Sequence, residues 1–291
     1  MTKPFQSPSY LQLEGVSAPN ELLALSCSSL GGNEWHGELR LFQQNERNAF
    51  ETVGAVRLDR GSACCRVFNA DSMVACGTDA GDVLVFKISS ERSFATTAPS
   101  LKLLEHDDVV TGIDVNEELN QAVSSSWDRT VKVWDLTTGK AKETLSMTEH
   151  VSGVQYVDTN LLACGERDGS ISVWDTRKGM VARKTLDHGI ASIVSSKREF
   201  IIVGCANGSV IEWAHASNMV QELRKHNAAV HALAICPQTE RLLSGSDDGV
   251  VFGEGRLHHD FVRGAAWWKG RPVTSSWDGT MRFVDVDMAA D

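Results

Sequence analysis

Short runs in which apolar and polar residues alternate recur along the chain. The stretch 29–42, SLGGNEWHGELRLF, ends in one of them, with Leu39 and Leu41 set against Glu38 and Arg40. A period of two predicts a half-buried β-strand. Two longer segments show what surrounds such strands: SSSWDRTVKVWDL at 124–136 and CGERDGSISVWDT at 164–176. Each passes from a small-residue strand end through a turn into an alternating strand that closes on Trp-Asp. The same frame fits five further stretches, at 35–42, 79–86, 206–213, 247–253 and 278–285. The Trp positions become Phe42, Phe86, Trp134, Trp174, Trp213, Gly253 and Val284, spaced by 44, 48, 40, 39, 40 and 31 residues. A period near forty residues is the mark of a repeat architecture.

The turns carry the expected chemistry. Asp168-Gly169, Asn207-Gly208, Asp248-Gly249 and Asp278-Gly279 are dipeptides that favour tight hairpins. Gly37 and Gly81 take the same frame position in the first two copies, and Arg129 replaces glycine in the third. A second marker precedes each later copy, a His next to a charged residue or another His, followed by an apolar strand. The instances are EHDDVVTGIDV, EHVSGVQYV, DHGIASIV, KHNAAVHALAI and HHDFVRGAAW.

With Trp-Asp at one end and this His at the other, the chain resembles the WD40 family from about residue 10 to 286. That resemblance implies an all-β fold, a seven-bladed β-propeller of four-stranded antiparallel blades whose apolar residues from neighbouring blades form one continuous core. The family also implies a hydrogen-bonded network within blades. Its expected members are His106, a Ser among 124–126, Asp128 and Trp134, and in other copies His150, Asp168, Trp174, His188, Trp213, His226, Asp248, His259 and Asp278. The propeller is expected over 10–287, with 1–9 as a short closing strand for the last blade and 288–291 as a tail. Blade six has room only for a cramped outer strand.

Composition narrows the function. No run approaches the roughly 20 apolar residues of a membrane helix, and MTKPFQSPSY lacks the apolar centre of a secretory signal. The seven cysteines form no CxxC pair and mostly sit in apolar strand runs, so reduced, packed thiols are expected. A net charge of -10 without a basic patch argues against nucleic acid and suits a basic partner. Ser, His and Asp recur in most copies, yet an active site is built once, so repetition favours a structural reading. No metal or cofactor fingerprint is present, and the chain reads as a non-enzyme.

Eight tryptophans remain to be placed. Three sit at the repeat position. Trp127 and Trp277 precede turn aspartates and are expected to pack over them. Trp267 and Trp268 are strand neighbours, so one should face inward and the other outward. Trp35 falls in the polar loop GGNEWHG, where the corresponding residues Asp79, Arg167, Ala206 and Asp247 are small or polar. Tryptophan is a favoured interface anchor.

Three segments, SCSSLGGNEWHGELRLF, LEHDDVVTGIDV with QAVSSSWDRTVKVWDL, and HHDFVRGAAW, resemble the methylosome WD-repeat subunits (methylosome protein 50), companions of protein arginine methyltransferase 5. The resemblance implies a non-catalytic scaffold in which Trp35, flanked by Asn33, Glu34 and His36, enters a pocket on the type II methyltransferase. It further implies arginine-rich substrates, histone tails and spliceosomal Sm proteins, drawn by an acidic surface on which Asp107, Asp108, Asp247 and Asp248 are loop candidates. Cytoplasmic and nuclear location and a hetero-oligomer follow from the same resemblance. The alternative is a WD40 adaptor of another complex, such as a ubiquitin-ligase substrate receptor or a trafficking scaffold.

Overall fold

The computed structural model describes residues 5–6, 11–18, 20–31, 34–45, 49–196, 199–252 and 255–284. Among them every regular element is a β-strand, and the strands assort into seven four-stranded antiparallel sheets. Blade three shows the plan, with strands Val110–Asn116, Gln121–Ser126, Thr130–Asp135 and Lys140–Ser146 laid in order from the axis outward. First strands of consecutive blades touch one another, and blade one's Leu11–Ser17 touches blade seven's Val262–Trp268, so the ring is closed. The molecule is a seven-bladed β-propeller.

The core lies between blades rather than within them. Each of seven apolar clusters spans one pair of neighbours. Phe86, Leu39 and Leu41 meet between blades one and two, and Trp134 with Val83 and Leu103 between two and three. Trp213 with Ile171 and Val173 fills the space between four and five. A blade thus has two buried faces, and the period-two pattern sends alternate side chains to opposite neighbours. This corrects the expectation for the Trp267–Trp268 pair. Trp268 is buried in the cluster between blades seven and one, and Trp267 packs into the cluster between six and seven, its Nε1 donating to Ala234 O at 3.3 Å. Neither ring faces outward to solvent.

The intrablade network is complete in blade three. Trp134 Nε1 donates to Ser124 Oγ at 2.8 Å, His106 Nε2 lies 2.8 Å from the same oxygen, and His106 Nδ1 lies 2.7 Å from Asp128 Oδ2. A proton order running Trp134 to Ser124 to His106 to Asp128 satisfies every group with a neutral imidazole, and burial lowers the His106 pKa in keeping with that. Blade seven repeats the arrangement without Trp, and here the sequence frame needs correcting. The buried partner is His258, 3.1 Å from Asp278 Oδ2 and 2.8 Å from Thr274 Oγ1, while His259 is exposed and contributes only its backbone N–H. In blade six His226 reaches Ser244 at 2.9 Å, and Asp248 accepts from the backbone of Asn227 and Val250.

Blades four and five depart from the expected network. The position four residues before the first strand is Met147 in one and Leu186 in the other, and both are packed against apolar clusters. His150 and His188 lie nearer the strand. His150 Nδ1 meets the Trp127 carbonyl, and His188 is exposed. Asp168 caps its own turn by accepting from Ser170 N, Trp174 donates to Ser172, and Trp213 donates to Asn218. Because Cys164 and Val203 stand where blade three has Ser124, the linking hydroxyl is missing, and apolar packing takes over the histidine's place.

Phe5–Gln6 supplies the fourth strand of blade seven, with Phe5 opposite Met281 and Gln6 opposite Thr280. Blade six tapers to third and fourth strands of two residues each, Val250–Val251 and Gly255–Arg256. The segment 288–291, read as a tail, lies outside the described residues.

Candidate interaction site at the channel mouth

The first strands line a central channel of about 1190 Å³. Which side chains enter it is decided by a repeated irregularity. In five blades the register between the first and second strands slips near the start of the first strand, at Ser62/Cys64, Val110/Gly112, Val151/Gly153, Ile190/Ser192 and Val262/Gly264. A β-bulge turns the extra residue away from its neighbours, and here the bulged residues Ala63, Thr111, Ser152, Ala191 and Arg263 line the channel. Blade one has a wider slip, between Leu13 and Val16, which places Glu14 there, and His231 holds the position in blade six.

A second ring closes the mouth above the first. Asp79, Trp127, Arg167, Ala206, Asp247 and Trp277 each donate their backbone N–H to the loop before their own blade's first strand. In blade one the position falls to Ser28, two residues past Ser26. The two rings carry mixed charge around indoles. Arg167 lies 5.2 Å from the Trp127 ring centre and Arg263 lies 4.4 Å from that of Trp277. Asp247 pairs with Arg263 at 3.8 Å and with His231 at 3.5 Å. Burial, with the two nearby guanidiniums adding to it, pushes His231 down to about 3, so its imidazole is neutral. Burial pushes Glu14 up to about 7, while Trp277 and Arg263 act against that shift and Asp79 adds to it. The Trp277 indole N–H is near enough to Glu14 to favour its charged form, yet it falls short of hydrogen-bond geometry and is a buried donor without a partner.

Trp35 stands at this mouth and differs from its expected setting. It belongs to a strand, Glu34–Gln44, because the first hairpin runs further than the others, with Leu30 opposite Trp35 and Gly31 opposite Glu34. Gly37 is therefore no turn glycine. A Cβ there would lie 2.4 Å from Arg60 O, so glycine is required by the close approach of blade two. Ser62 N donates to Ser28 Oγ at 3.3 Å across the same contact. The extended tip leans over blade two, where Trp35 Nε1 donates to Asp79 Oδ2, and 40% of the Trp35 surface stays exposed. The ring is held by one edge and is part-exposed. His36, next along the strand, is half-buried and its Nδ1 has no partner. Glu34 opens the strand, and Asn33 lies outside the described residues.

Of the loop acids considered from sequence, Asp108 caps Val109 N and Asp107 is exposed on the rim beside His106. Trp127, 37% exposed, and half-buried Trp277 line the channel mouth rather than merely packing over their turns. Glu14, Arg263 and His231 were not legible as site residues. Glu14 and Arg263 sit on strands that read as ordinary alternation, where only the bulge turns them inward, and His231 lies just before its blade's first strand, Ala232–Ile235.

Repeats of this kind have relatives. The profile of the WD domain, G-beta repeat matches residues 98–135, 141–175 and 217–252. The chain thus carries WD40 repeats on a seven-bladed propeller, and proteins with such repeats mediate protein–protein interaction. More particularly, it is similar to methylosome protein WDR77 of Xenopus laevis, 27% identical over 284 residues that span 88% of this chain and 84% of that protein. It is also similar to a DDB1- and CUL4-associated factor 11 homolog of Caenorhabditis briggsae, 26% identical over 73% of this chain. A U3 small nucleolar RNA-associated protein 15 homolog of Xenopus laevis is 26% identical over 65% of it. The chain spans only 39% and 37% of the length of these last two relatives.

Proposed function

We propose that the chain is a non-catalytic adaptor of a methylosome-type complex. In this reading Trp35 anchors a type II arginine methyltransferase, and the acidic propeller helps present arginine-rich proteins such as histone tails and Sm proteins, in cytoplasm and nucleus. The observation that carries the reading is a part-exposed indole on an extended hairpin, in a chain that aligns with methylosome protein WDR77 along most of both lengths. Nine paired positions run from Leu23–Phe42 to Gly31–Glu34, so the anchor sits on a stiff ribbon and loses little freedom when a partner covers it.

Trp35→Ala is expected to weaken methyltransferase binding by about 2–4 kcal/mol, roughly thirtyfold to a thousandfold, in a calorimetric titration. The fold should be unaffected, since the ring belongs to none of the seven core clusters. Unchanged affinity would sink the assignment. Similarity to the DDB1- and CUL4-associated factor homolog supports the competing adaptor reading, which recovery of cullin components with the purified native chain would favour.

A further inference from the structure

A part-exposed indole can give its N–H to water, so a carboxylate fixed on that N–H calls for a reason. Trp35 is such a case. Its Nε1 donates to Asp79 Oδ2 across the boundary between blades one and two. The indoles inside the propeller use neutral acceptors instead: Trp134 on Ser124, Trp174 on Ser172, Trp213 on Asn218 and Trp268 on Glu21 O. A third residue shapes the Trp35 contact. Gly61 precedes blade two's first strand, Ser62–Phe68, and its carbonyl accepts from Asp79 N at 3.0 Å. A Cβ on Gly61 would run into both Trp35 Nε1 and Asp79 Oδ2. Its φ lies outside the left-handed region, so this glycine answers a need for space and not for a turn. The edge of the indole therefore sits in a notch made by the bare Gly61 backbone and the Asp79 carboxylate.

We propose that Gly61 and Asp79 are positioning residues for the anchor, forming a seat that presents the Trp35 ring to a partner with its N–H already satisfied. The proposal rests on the methyltransferase reading above. When a partner covers the ring, water leaves the N–H, and an indole donor buried without an acceptor gives back much of what burying the ring gains. Asp79 travels with the ring and removes that penalty, so the partner's pocket need offer the indole no acceptor. Exclusion of water then strengthens the bond, because one partner in it is charged. The seat also orders the ring before contact, which lowers the entropy lost on binding.

The test joins a double-mutant cycle to a spectrum of the free chain. In calorimetric titration against the methyltransferase, Asp79→Leu is expected to weaken binding about tenfold. Asp79→Asn, whose amide oxygen still accepts, should restore most of that loss. In the Trp35→Phe chain, which keeps a ring and lacks the N–H, Asp79→Leu should change affinity by less than about twofold. Equal loss in both chains would show a merely structural role, and unchanged or tighter binding by Asp79→Leu would show that the bond does not serve the anchor; each overturns the proposal. In the free chain, the Trp35 indole N–H resonance is identified by its absence from the Trp35→Phe spectrum. It should be protected from exchange with water and lose that protection in Asp79→Leu and in Gly61→Ala, which displaces only the ends of two side chains. Equal exchange in all three proteins would overturn the seat. If binding ignores Trp35 while protection still depends on Asp79 and Gly61, the partner reading fails and the seat stands. If binding depends on Trp35 and not on Asp79, the reverse holds.

Discussion

Single residues in this propeller are judged by what their neighbours can satisfy. Ser124 joins the Trp134 indole to the His106 ring, and that one hydroxyl decides whether blade three has a network. Where Cys164 or Val203 replaces it, the histidine is absent too. Glu14 shows the opposite case, an acid without a full set of partners. Burial raises its folded pKa to about 7, above the ordinary 4.5 that holds in the unfolded chain. Stability from its protonated form is therefore complete below about pH 4.5 and is lost as pH rises through 7, at most about 3 kcal/mol. Glu14→Gln is expected to raise Tm at pH 8 and to change it little at pH 5, read by thermal denaturation at both values. A lower Tm at pH 8 would mean that the carboxylate has a partner in the folded chain.

At the scale of the element, hairpin turns and bulges do different work. The turns of blades two, four, five, six and seven hold glycine at positive φ, from 74° at Gly279 to 94° at Gly169. Arg129 takes the same conformation, φ 65°, with a side chain that disfavours it. Arg129→Gly relieves about 1–2 kcal/mol of left-handed strain and loses somewhat less to chain entropy, leaving a net gain of about 0.5 kcal/mol. Differential scanning calorimetry should show Tm rising by about 1–2 °C, and a fall would show that Arg129 makes a contact worth more than its strain. Turns of this sort announce themselves by Asp-Gly and Asn-Gly. Bulges do not, because one extra residue in a strand leaves the apolar alternation readable on either side. That is why Trp35 and the repeat frame were visible while Glu14 and Arg263 were not. The first hairpin misled for a related reason: Gly37 looked like a turn and proved to be a point of close packing.

On the scale of the whole molecule the ring must be locked where chain ends meet. Phe5–Gln6 adds only two residue pairs to blade seven, and side chains reinforce the join. Phe50 of blade one stacks on Phe283 at 4.1 Å and meets Trp268 edge-on at 4.9 Å, Lys269 pairs with Glu21 at 2.7 Å, and Ser275 Oγ donates to Glu14 O at 3.2 Å. Removing residues 1–9 should therefore weaken the propeller without opening it. The expected loss is about 1–2 kcal/mol, with amide exchange rising first along Thr280–Phe283, whose outer edge is left unpaired. Uniform exchange across all blades would show instead that the two-residue strand is what closes the ring.

The sequence by itself determined the repeat, the number of blades, most hairpin turns and the exceptional Trp35, because these follow from local periodicity and from turn chemistry confined to a few neighbouring residues. Tertiary structure alone decided which histidine of a pair enters the network and which charges gather at the channel. Those outcomes depend on register slips and on groups brought together from blades far apart in the chain, where electrostatics and hydrogen bonding act through space and leave no period to read.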